Sequence, residues 1–226
     1  VSASSGGVYA SDDSGANWAD RSNGLRNTSV QEIAVDGNDA RILFAATPRS
    51  FYKSVDGGLN WTRRNQGLTS TSTNAITRAP DGTLYLGTSG GGIFRSTDGS
   101  RTWEPITALP IAFVNAITVV PGNADKLFAG GGTNLGLCVS DDAGRTWAQV
   151  TSGLPTDFIL DIEIDPLTPL NVFVTQARNG DVLFKSADGG ATWAPSQAGI
   201  TATDGTPLAV TDIAFDPTSP STVYAA

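Results

Sequence analysis

Short apolar runs separated by polar turns extend along the whole chain and predict β-strands. Examples are ILFAAT, TLYLGT and NVFVTQ, which are rich in β-branched and aromatic residues and lie between Gly, Pro, Asn or Asp residues. Such runs are typical of strands. No segment shows the sustained 3.6-residue apolar period of an amphipathic helix. The pattern therefore predicts an all-β protein.

An eight-residue box recurs five times between these runs. It has Ser first, Asp two positions later, Gly four later and Trp seven later, as in SVDGGLNW. The third copy, STDGSRTW, has Ser100 where Gly is expected. All five tryptophans lie in the boxes, spaced 43, 42, 44 and 46 residues apart. The box residues are Ser11, Asp13, Gly15 and Trp18; Ser54, Asp56, Gly58 and Trp61; Ser96, Asp98 and Trp103; Ser140, Asp142, Gly144 and Trp147; and Ser186, Asp188, Gly190 and Trp193.

A period of this length with four strand runs predicts a β-propeller of four-stranded antiparallel blades. The first repeat lacks its first two strands, and the last 17 residues form two strands without a following box. Two interpretations fit. Either five blades form a ring closed by N- and C-terminal strands that share a blade, or the chain is a segment of a larger propeller with six to eight blades. The first interpretation gives a single domain, 1–226, with blades at 210–226 plus 1–29, 30–72, 73–113, 114–158 and 159–209.

The box itself has a structural explanation. A short polar side chain such as Asp accepts hydrogen bonds from backbone N–H groups of a turn, and Gly permits positive φ. The Trp then opens the fourth strand and is expected to pack between neighbouring sheets. Five equivalent catalytic aspartates would make little chemical sense, so we interpret the box as structural.

Composition limits the chemistry. There is no His, which excludes Ser-His-Asp and Cys-His nucleophile pairs and zinc sites built on imidazole. Cys138 is the single cysteine, in the apolar stretch LGLCVS, and is expected to be a buried, inert thiol. No apolar run is long enough for a membrane helix. With no Met and no visible signal peptide, the sequence is interpreted as that of a processed or excised chain.

Charge argues against nucleic acid as a partner. The net charge is −8, and residues 114–226 carry 4 basic and 12 acidic side chains. Phosphate binding needs clustered Lys and Arg. We therefore expect neither nucleic-acid binding nor direct insertion into a membrane.

Three acids precede a repeated Ile in the predicted first strand of their blades: Glu32, Asp161 and Asp212. First strands line the central channel of a propeller, so these carboxylates are candidate channel acids. They could supply the carboxylate pair of a glycosidase or bind a cation such as calcium. The alternative is that they face water or accept hydrogen bonds from strand N–H groups, and we prefer it. No cofactor and no metal site is predicted, with calcium as the one candidate ion.

The loops that join one blade to the next differ most between repeats, and variable loops on a rigid scaffold are where function concentrates. Arg21, Arg26, Arg63 and Arg64 lie in the first two of these loops, and Phe113 and Phe158 end two others. These six residues form the candidate binding face.

The spelling S-x-D-x-G-x-T-W resembles the Asp box of the bacterial neuraminidase repeat (BNR) family, and the likeness covers essentially the whole chain. The resemblance implies a β-propeller that is secreted or periplasmic. Proteins of this family include sialidases, xyloglucan hydrolases, sortilin-type receptors and the photosystem II assembly factor of the Ycf48 kind. Arg41-Ile42-Leu43 lacks the Pro of the sialidase motif, and ATPRSFYKS lacks the catalytic Asp of the hydrolases. A Ycf48-like protein also uses an arginine patch.

These observations together predict a non-enzymatic scaffold or assembly subunit that binds a protein outside the cytoplasm. The alternative is a carbohydrate-binding or glycoside-hydrolase propeller, or a fragment of one, with a carbohydrate as the partner.

Overall fold

The structure is a computed structural model that describes residues 2–3, 6–26, 28–109, 111–132, 136–177, 182–203, 205, 208–216, 219 and 222–226. All regular elements in these residues are β-strands. Within the same residues there is no helix of the length and apolar content that a membrane crossing requires. The all-β prediction is confirmed.

The chain divides into two compact units, Val1–Phe113 and Val114–Ala226. The described part of the first unit forms three antiparallel sheets, with strand orders β1-β2-β3, β4-β5-β6-β7 and β8-β9-β10-β11. The strands are β1 (Ser2–Ala3), β2 (Gly7–Ala10), β3 (Ala19–Asp20), β4 (Glu32–Val35), β5 (Leu43–Thr47), β6 (Ser50–Ser54), β7 (Thr62–Arg63), β8 (Thr73–Arg78), β9 (Leu84–Thr88), β10 (Gly92–Ser96) and β11 (Glu104–Ile106).

The described part of the second unit forms two four-stranded sheets, β12-β13-β14-β15 and β16-β17-β18-β19, and the two-stranded sheet β20-β21. The strands are β12 (Val114–Val119), β13 (Leu127–Gly131), β14 (Leu137–Ser140), β15 (Ala148–Gln149), β16 (Ile159–Ile164), β17 (Val172–Gln176), β18 (Leu183–Ser186), β19 (Ala194–Pro195), β20 (Ile213–Phe215) and β21 (Val223–Ala225).

Each sheet is a meander in which consecutive strands pair. Phe44 of β5, for example, lies opposite Ala34 of β4 and Lys53 of β6. Middle strands are buried on both faces, as β9 shows with all five residues buried, whereas the fourth strands β7, β15 and β19 are exposed. Burial thus falls from the middle strands to the fourth strand of each sheet. The sequence shows the same order, with an apolar run in each second strand and a short polar run after each Trp, as expected for a blade.

The cores lie between successive sheets of one unit. In the first unit, Phe44 and Phe51 of one sheet pack with Leu86, Phe94 and Trp103 of the next. Phe51 and Trp103 meet edge to face, with ring centroids 5.0 Å apart. Burial of aromatic surface between sheets therefore joins neighbouring blades.

The second unit has a core of the same kind. Phe128 and Leu137 of the sheet β12–β15 pack with Ile159, Val174 and Trp193 of the sheet β16–β19. The four-stranded propeller blade predicted from the sequence is confirmed in both units.

The incomplete repeats at the two ends form smaller sheets. β2 pairs with β3 on one side and with β1, the short strand just before it, on the other. β20 and β21 pair with each other. The blade predicted to combine strands from both ends of the sequence stays a prediction. A partial segment of a larger propeller, the alternative, fits this arrangement. The prediction of a single domain stays a prediction.

Candidate functional site

The Asp box is a closed set of local hydrogen bonds. In the second copy the Ser54 hydroxyl donates to Asp56 Oδ1 at 2.8 Å and accepts the N–H of Gly58 at 2.9 Å. Asp56 Oδ1 accepts the N–H of Asn60, and Oδ2 accepts its side-chain amide, at 2.9 and 2.8 Å. In the third to fifth copies a Thr hydroxyl replaces this amide, at 2.6 Å. Every carboxylate oxygen is thus used within the turn.

These bonds lower the pKa of every box carboxyl. The largest cause is the side chain four positions later, followed in each case by the backbone N–H of that residue. The pKa falls to about 2 in Asp13, Asp98 and Asp142, and it is also lowered in Asp56 and Asp188. A carboxylate held ionised in this way is a poor general acid, which agrees with a structural role.

The box places its Trp against a loop of the preceding blade. The backbone N–H of Trp61 donates to the carbonyl of Asn23 at 2.9 Å. A Cβ added to Gly24 would lie 2.3 Å from the carbonyl oxygen of Trp61. We call this contact the blade joint. In it, the backbone N–H of a box Trp donates to the residue before a Gly, and the carbonyl of the same Trp lies against that Gly. It recurs with Trp103 against Gln66 and Gly67 (2.9 and 2.1 Å) and with Trp193 against Ser152 and Gly153 (3.1 and 2.2 Å).

The indole rings differ in environment. Trp61, Trp103 and Trp193 are buried, whereas Trp18 is 52% exposed. The indole N–H of Trp61 donates to the carbonyl of Arg21 at 2.7 Å, and that of Trp103 to the carbonyl of Arg64 at 2.9 Å. Those of Trp147, which is partly buried, and Trp193 donate within their own boxes. Burial of all five indoles was expected, and the structure departs from this at Trp18.

A cleft with a volume of about 270 Å³ lies between the first two blades of the first unit. We call it the Arg26–Arg63 cleft. Its walls carry the exposed side chains of Arg26 and Arg63, and it is lined by Gly24, Arg26, Tyr52, Trp61, Thr62 and Arg63. Tyr52 and Trp61 are 2% and 5% exposed, so the cleft has an aromatic floor. The Tyr52 hydroxyl accepts the N–H of Arg26 at 3.3 Å, which fixes the loop against the floor.

The arginines of the predicted binding face separate into two pairs. Arg26 and Arg63 line the cleft, and neither has a carboxylate within ion-pair distance in the described residues. Arg21 and Arg64 occupy equivalent positions three residues after a Trp and are partly buried. Their carbonyls accept indole N–H groups, so their backbones belong to the packing between blades.

Positive charge extends along the second blade beyond the cleft. The pKa of Lys53 is lowered, first by burial and then by the charges of Arg64 and Arg101. Lys53 Nζ donates to the carbonyl of Gly99 at 3.0 Å and lies 5.4 Å from the centre of the Phe44 ring. Three cationic side chains thus lie near one another in the first unit, with the carboxylates of Asp36 and Asp98 also close enough to act on Lys53.

The two predicted aromatic contacts lie outside the cleft. Phe113 is 57% exposed and forms an isolated bridge with Ser89 in the first unit. Phe158 lies in the second unit, is partly buried, and accepts the N–H of Ala177 on its carbonyl at 3.0 Å. Their role in binding stays a prediction.

The candidate channel acids lie in different units, and each is described with its own neighbours. Glu32 Oε2 accepts the N–H of Ile76 on the next blade at 2.8 Å. Asp161 Oδ2 accepts the N–H of Ile213 on the following sheet at 3.3 Å, and its Oδ1 accepts its neighbour Ile162 at 2.8 Å. These are the strand N–H contacts that the sequence analysis preferred.

Burial raises the pKa of two acids on β16. The pKa of Asp161 rises to about 6 and that of Glu163 to about 7, with the charge of Asp212 as a further cause in both. In the described residues no group of three or more His, Cys, Asp or Glu side chains is arranged to hold a metal ion. The calcium hypothesis stays a prediction. Cys138 is buried, and burial raises the pKa of its thiol to about 11, which disfavours the reactive thiolate.

Sequence reasoning missed the Gly of the blade joint. The pair Gly-Leu recurs at Gly24, Gly67 and Gly153, and as Gly-Ile at Gly199, always six residues after a box Trp. These glycines all have positive φ, between +81° and +92°. These glycines lie in the loops between blades, where the sequence analysis compared only the residues that differ. Aligning the loops on the preceding Trp shows the shared Gly.

Comparison with known proteins places these features in a family. A family model described as photosynthesis system II assembly factor YCF48 matches residues 1–162. A curated relative, the oligoxyloglucan-reducing end-specific xyloglucanase of Emericella nidulans, is 28% identical over 130 residues, which cover 52% of this chain and 15% of the relative.

Two solved structures show the same fold. An ancestral GH74 enzyme aligns with a TM-score of 0.70 and 22% identity over 87% of this chain and 27% of its own. The structure of YCF48 bound to D1 peptide aligns with a TM-score of 0.66 and 20% identity over 96% of this chain and 67% of its own. The chain thus spans only a small part of the xyloglucanase and of the GH74 enzyme. On the family model, which matches more than half of its residues, this chain belongs to the family of the photosynthesis system II assembly factor YCF48.

Proposed function

We propose that this chain is a non-enzymatic binding module that holds an acidic segment of another protein in the Arg26–Arg63 cleft. The observation that carries the proposal is the cleft itself, in which two arginines without carboxylate partners in the described residues stand over a floor of Tyr52 and Trp61. It would serve as an assembly or scaffold subunit outside the cytoplasm.

The chemistry of the lining favours an anionic, extended ligand. A guanidinium binds a carboxylate with two parallel hydrogen bonds, and it also stacks on aromatic rings. The wall carries backbone at Gly24 and a hydroxyl at Thr62, which suit the amide groups of a peptide. The cleft volume of about 270 Å³ is small, so it would take one or two side chains and leave the rest of the segment on the surface.

The surrounding charge supports the same ligand. Arg64 and Arg101 lie close enough to Lys53 to lower its pKa, while the charges of Asp36 and Asp98 act in the opposite direction. A positive surface attracts an acidic partner and speeds its association at low salt. YCF48, which has this fold, has been solved with D1 peptide bound, and this supports a protein partner here.

The test is binding of a fluorescent D1 peptide and of a Glu-rich peptide of equal length, measured by fluorescence polarisation at low and high salt. The double reversal Arg26→Glu/Arg63→Glu should abolish binding. The matched control Arg41→Glu/Arg49→Glu makes the same change in net charge at two exposed positions outside the cleft and should bind nearly as the wild type. Equal losses in both double variants, or binding untouched by the cleft reversal, would contradict the proposal.

A second candidate is binding or hydrolysis of a β-glucan, which the 28% identity to the xyloglucanase favours. Xyloglucan oligosaccharides in the same assay separate the two. We expect neither binding nor turnover. Turnover that disappears in Asp161→Asn would favour the enzyme.

A further inference from the structure

Three cationic side chains lie close together where the sheet β4–β7 meets the sheet β8–β11. They belong to Lys53 on β6, Arg64 just after β7 and Arg101 in the third box. The charges of both arginines lower the pKa of Lys53, so both guanidinium groups lie within electrostatic reach of its ammonium. In the described residues, none of the three has a carboxylate within ion-pair distance.

The two carboxylates near this cluster are already engaged elsewhere. Asp36 and Asp98 act on the pKa of Lys53 in the opposite direction to the arginines. Asp36 pairs with Arg78, with Oδ2 3.0 Å from Nε. Asp98 accepts the N–H of Thr102 on Oδ1 at 3.0 Å and its hydroxyl on Oδ2 at 2.6 Å. The positive charge of the cluster is therefore not directly paired.

A buried hydroxyl without a partner lies in the same box as Arg101. Ser100 is 0% exposed, and its Oγ has no hydrogen-bond partner among the described residues. The equivalent residue of the second box is Gly58, where an added Cβ would lie 3.4 Å from the Cβ of Arg21. Arg21 and Arg64 hold equivalent positions, and each accepts the indole N–H of the next box Trp on its carbonyl. The repeat therefore places Ser100 beside Arg64.

The packing between blades does not require charge at these positions. In the first unit, the equivalents between the preceding pair of sheets include one cation, and Asp12 Oδ2 lies 3.7 Å from its Nη2. These equivalents are Ala10, Arg21, Gly58 and Leu59. Between the two four-stranded sheets of the second unit the equivalents are all uncharged, and they are Val139, Val150, Gly190 and Ala191. The cluster thus needs an explanation other than the fold.

The chemistry of these groups suits a phosphate group. A guanidinium donates two parallel hydrogen bonds to phosphate oxygens, an ammonium supplies a compact positive charge, and a hydroxyl donates one further hydrogen bond. Lys53 Nζ donates to the Gly99 carbonyl at 3.0 Å, and an ammonium has further protons to donate. Arg101 is exposed and Lys53 is partly buried, so a ligand can reach the cluster from solvent.

We propose that this cluster binds a phosphate group, and we call it the Arg64–Arg101 site. The site consists of Lys53, Arg64, Ser100 and Arg101. None of these residues lines the Arg26–Arg63 cleft, so the proposal does not depend on the function proposed for the cleft. A phosphate dianion would balance the unpaired positive charge and accept the hydrogen bond that the buried Ser100 hydroxyl does not donate within the described residues.

Titration of the ¹⁵N-labelled chain with inorganic phosphate tests the site, with sodium chloride exchanged for phosphate at constant ionic strength. The NMR signals of the Ser100 and Arg101 amides should shift and saturate. Arg101→Gln should weaken binding about tenfold, because a charge-assisted hydrogen bond is lost. Ser100→Gly should weaken it about threefold, since a neutral hydroxyl contributes less.

Two control variants separate the site from a general effect of charge. Arg145 is exposed and lies five residues after its box Ser, as Arg101 does, so Arg145→Gln makes the same change of charge in another box. Arg26→Gln removes a cation from the cleft. Both variants should bind phosphate as the wild type does, and all variants should keep the circular dichroism of the wild type.

A parallel titration with O-phosphoserine distinguishes the two sources of a phosphate group. Saturable binding of inorganic phosphate alone would assign the site to the free ion, and tighter binding of phosphoserine would assign it to a phosphate ester. Binding of neither would overturn the proposal and show that water satisfies the Ser100 hydroxyl. Equal losses in Arg101→Gln and Arg145→Gln, or an affinity unchanged by both Arg101→Gln and Ser100→Gly, would overturn it as well.

Discussion

Trp103 and Trp18 end boxes with corresponding hydrogen bonds, yet one is 3% exposed and the other 52% exposed. In both boxes the Asp accepts the N–H four positions later, at 3.0 Å for Asp98 and 2.8 Å for Asp13. What differs is the neighbour. Trp103 lies on the loop that contains Gly67, and no described residue takes that place for Trp18.

The comparison separates two functions of one motif. The box is a local turn that forms from its own eight residues. Trp61, Trp103 and Trp193 each pack on a Gly loop of the preceding blade, and we expect them to contribute stability through that contact. In these three cases each blade contributes one half of the contact that joins it to its neighbour, as in other repeat proteins. For Trp147 the sequence has Leu109 at the position of the Gly.

The largest expected effect is the difference between removing these two indoles. Trp103→Ala should lower the free energy of unfolding by about 3–5 kcal/mol, because it empties a core that includes Phe51 and breaks the indole bond to the Arg64 carbonyl. Trp18→Ala, as the control, should change it by no more than about 0.5 kcal/mol, because the Trp18 side chain is already exposed. Urea unfolding followed by circular dichroism measures both. Similar losses would mean that the indole stabilises its own box and not the joint.

A smaller effect should come from the boxes themselves. Ser100 and Ser14 both have left-handed backbones, with φ of +68° and +59°. Replacing either by Gly relieves strain of about 1–2 kcal/mol and restores some entropy to the unfolded chain. Ser100→Gly should stabilise by about 1 kcal/mol, since it also removes a buried hydroxyl without a partner.

Ser14→Gly is a second variant, in the exposed box and one turn position earlier than Ser100, and it should gain less because its side chain is exposed. Thermal unfolding of the two variants beside the wild type makes the comparison. A larger gain at Ser14 than at Ser100 would show that the buried hydroxyl carries no cost.

Much of this fold could be predicted from the sequence because the period of the tryptophans is strict and strand runs precede each box. Four-stranded antiparallel sheets follow from that pattern. Burial could not be predicted in the same way, since Trp18 and Trp61 lie in similar boxes and differ in what surrounds them.

The candidate site was predicted only in part. Arg26 and Arg63 line one cleft, but Arg21 and Arg64, chosen by the same reasoning, have their carbonyls in the packing between blades. Position in a loop does not reveal which arginines face solvent. The aromatic floor was missed because Tyr52 belongs to β6, away from the loops in sequence.

The most direct test of the blade joint is hydrogen exchange of the indole N–H groups of the chain, followed by ¹⁵N NMR. The indole N–H of Trp103, bonded to the Arg64 carbonyl at 2.9 Å, should exchange far more slowly than that of Trp18. Assignment by Trp18→Phe identifies the fast signal. Equal exchange rates at Trp18 and Trp103 would contradict the account, because the joint would then not shield its Trp from water.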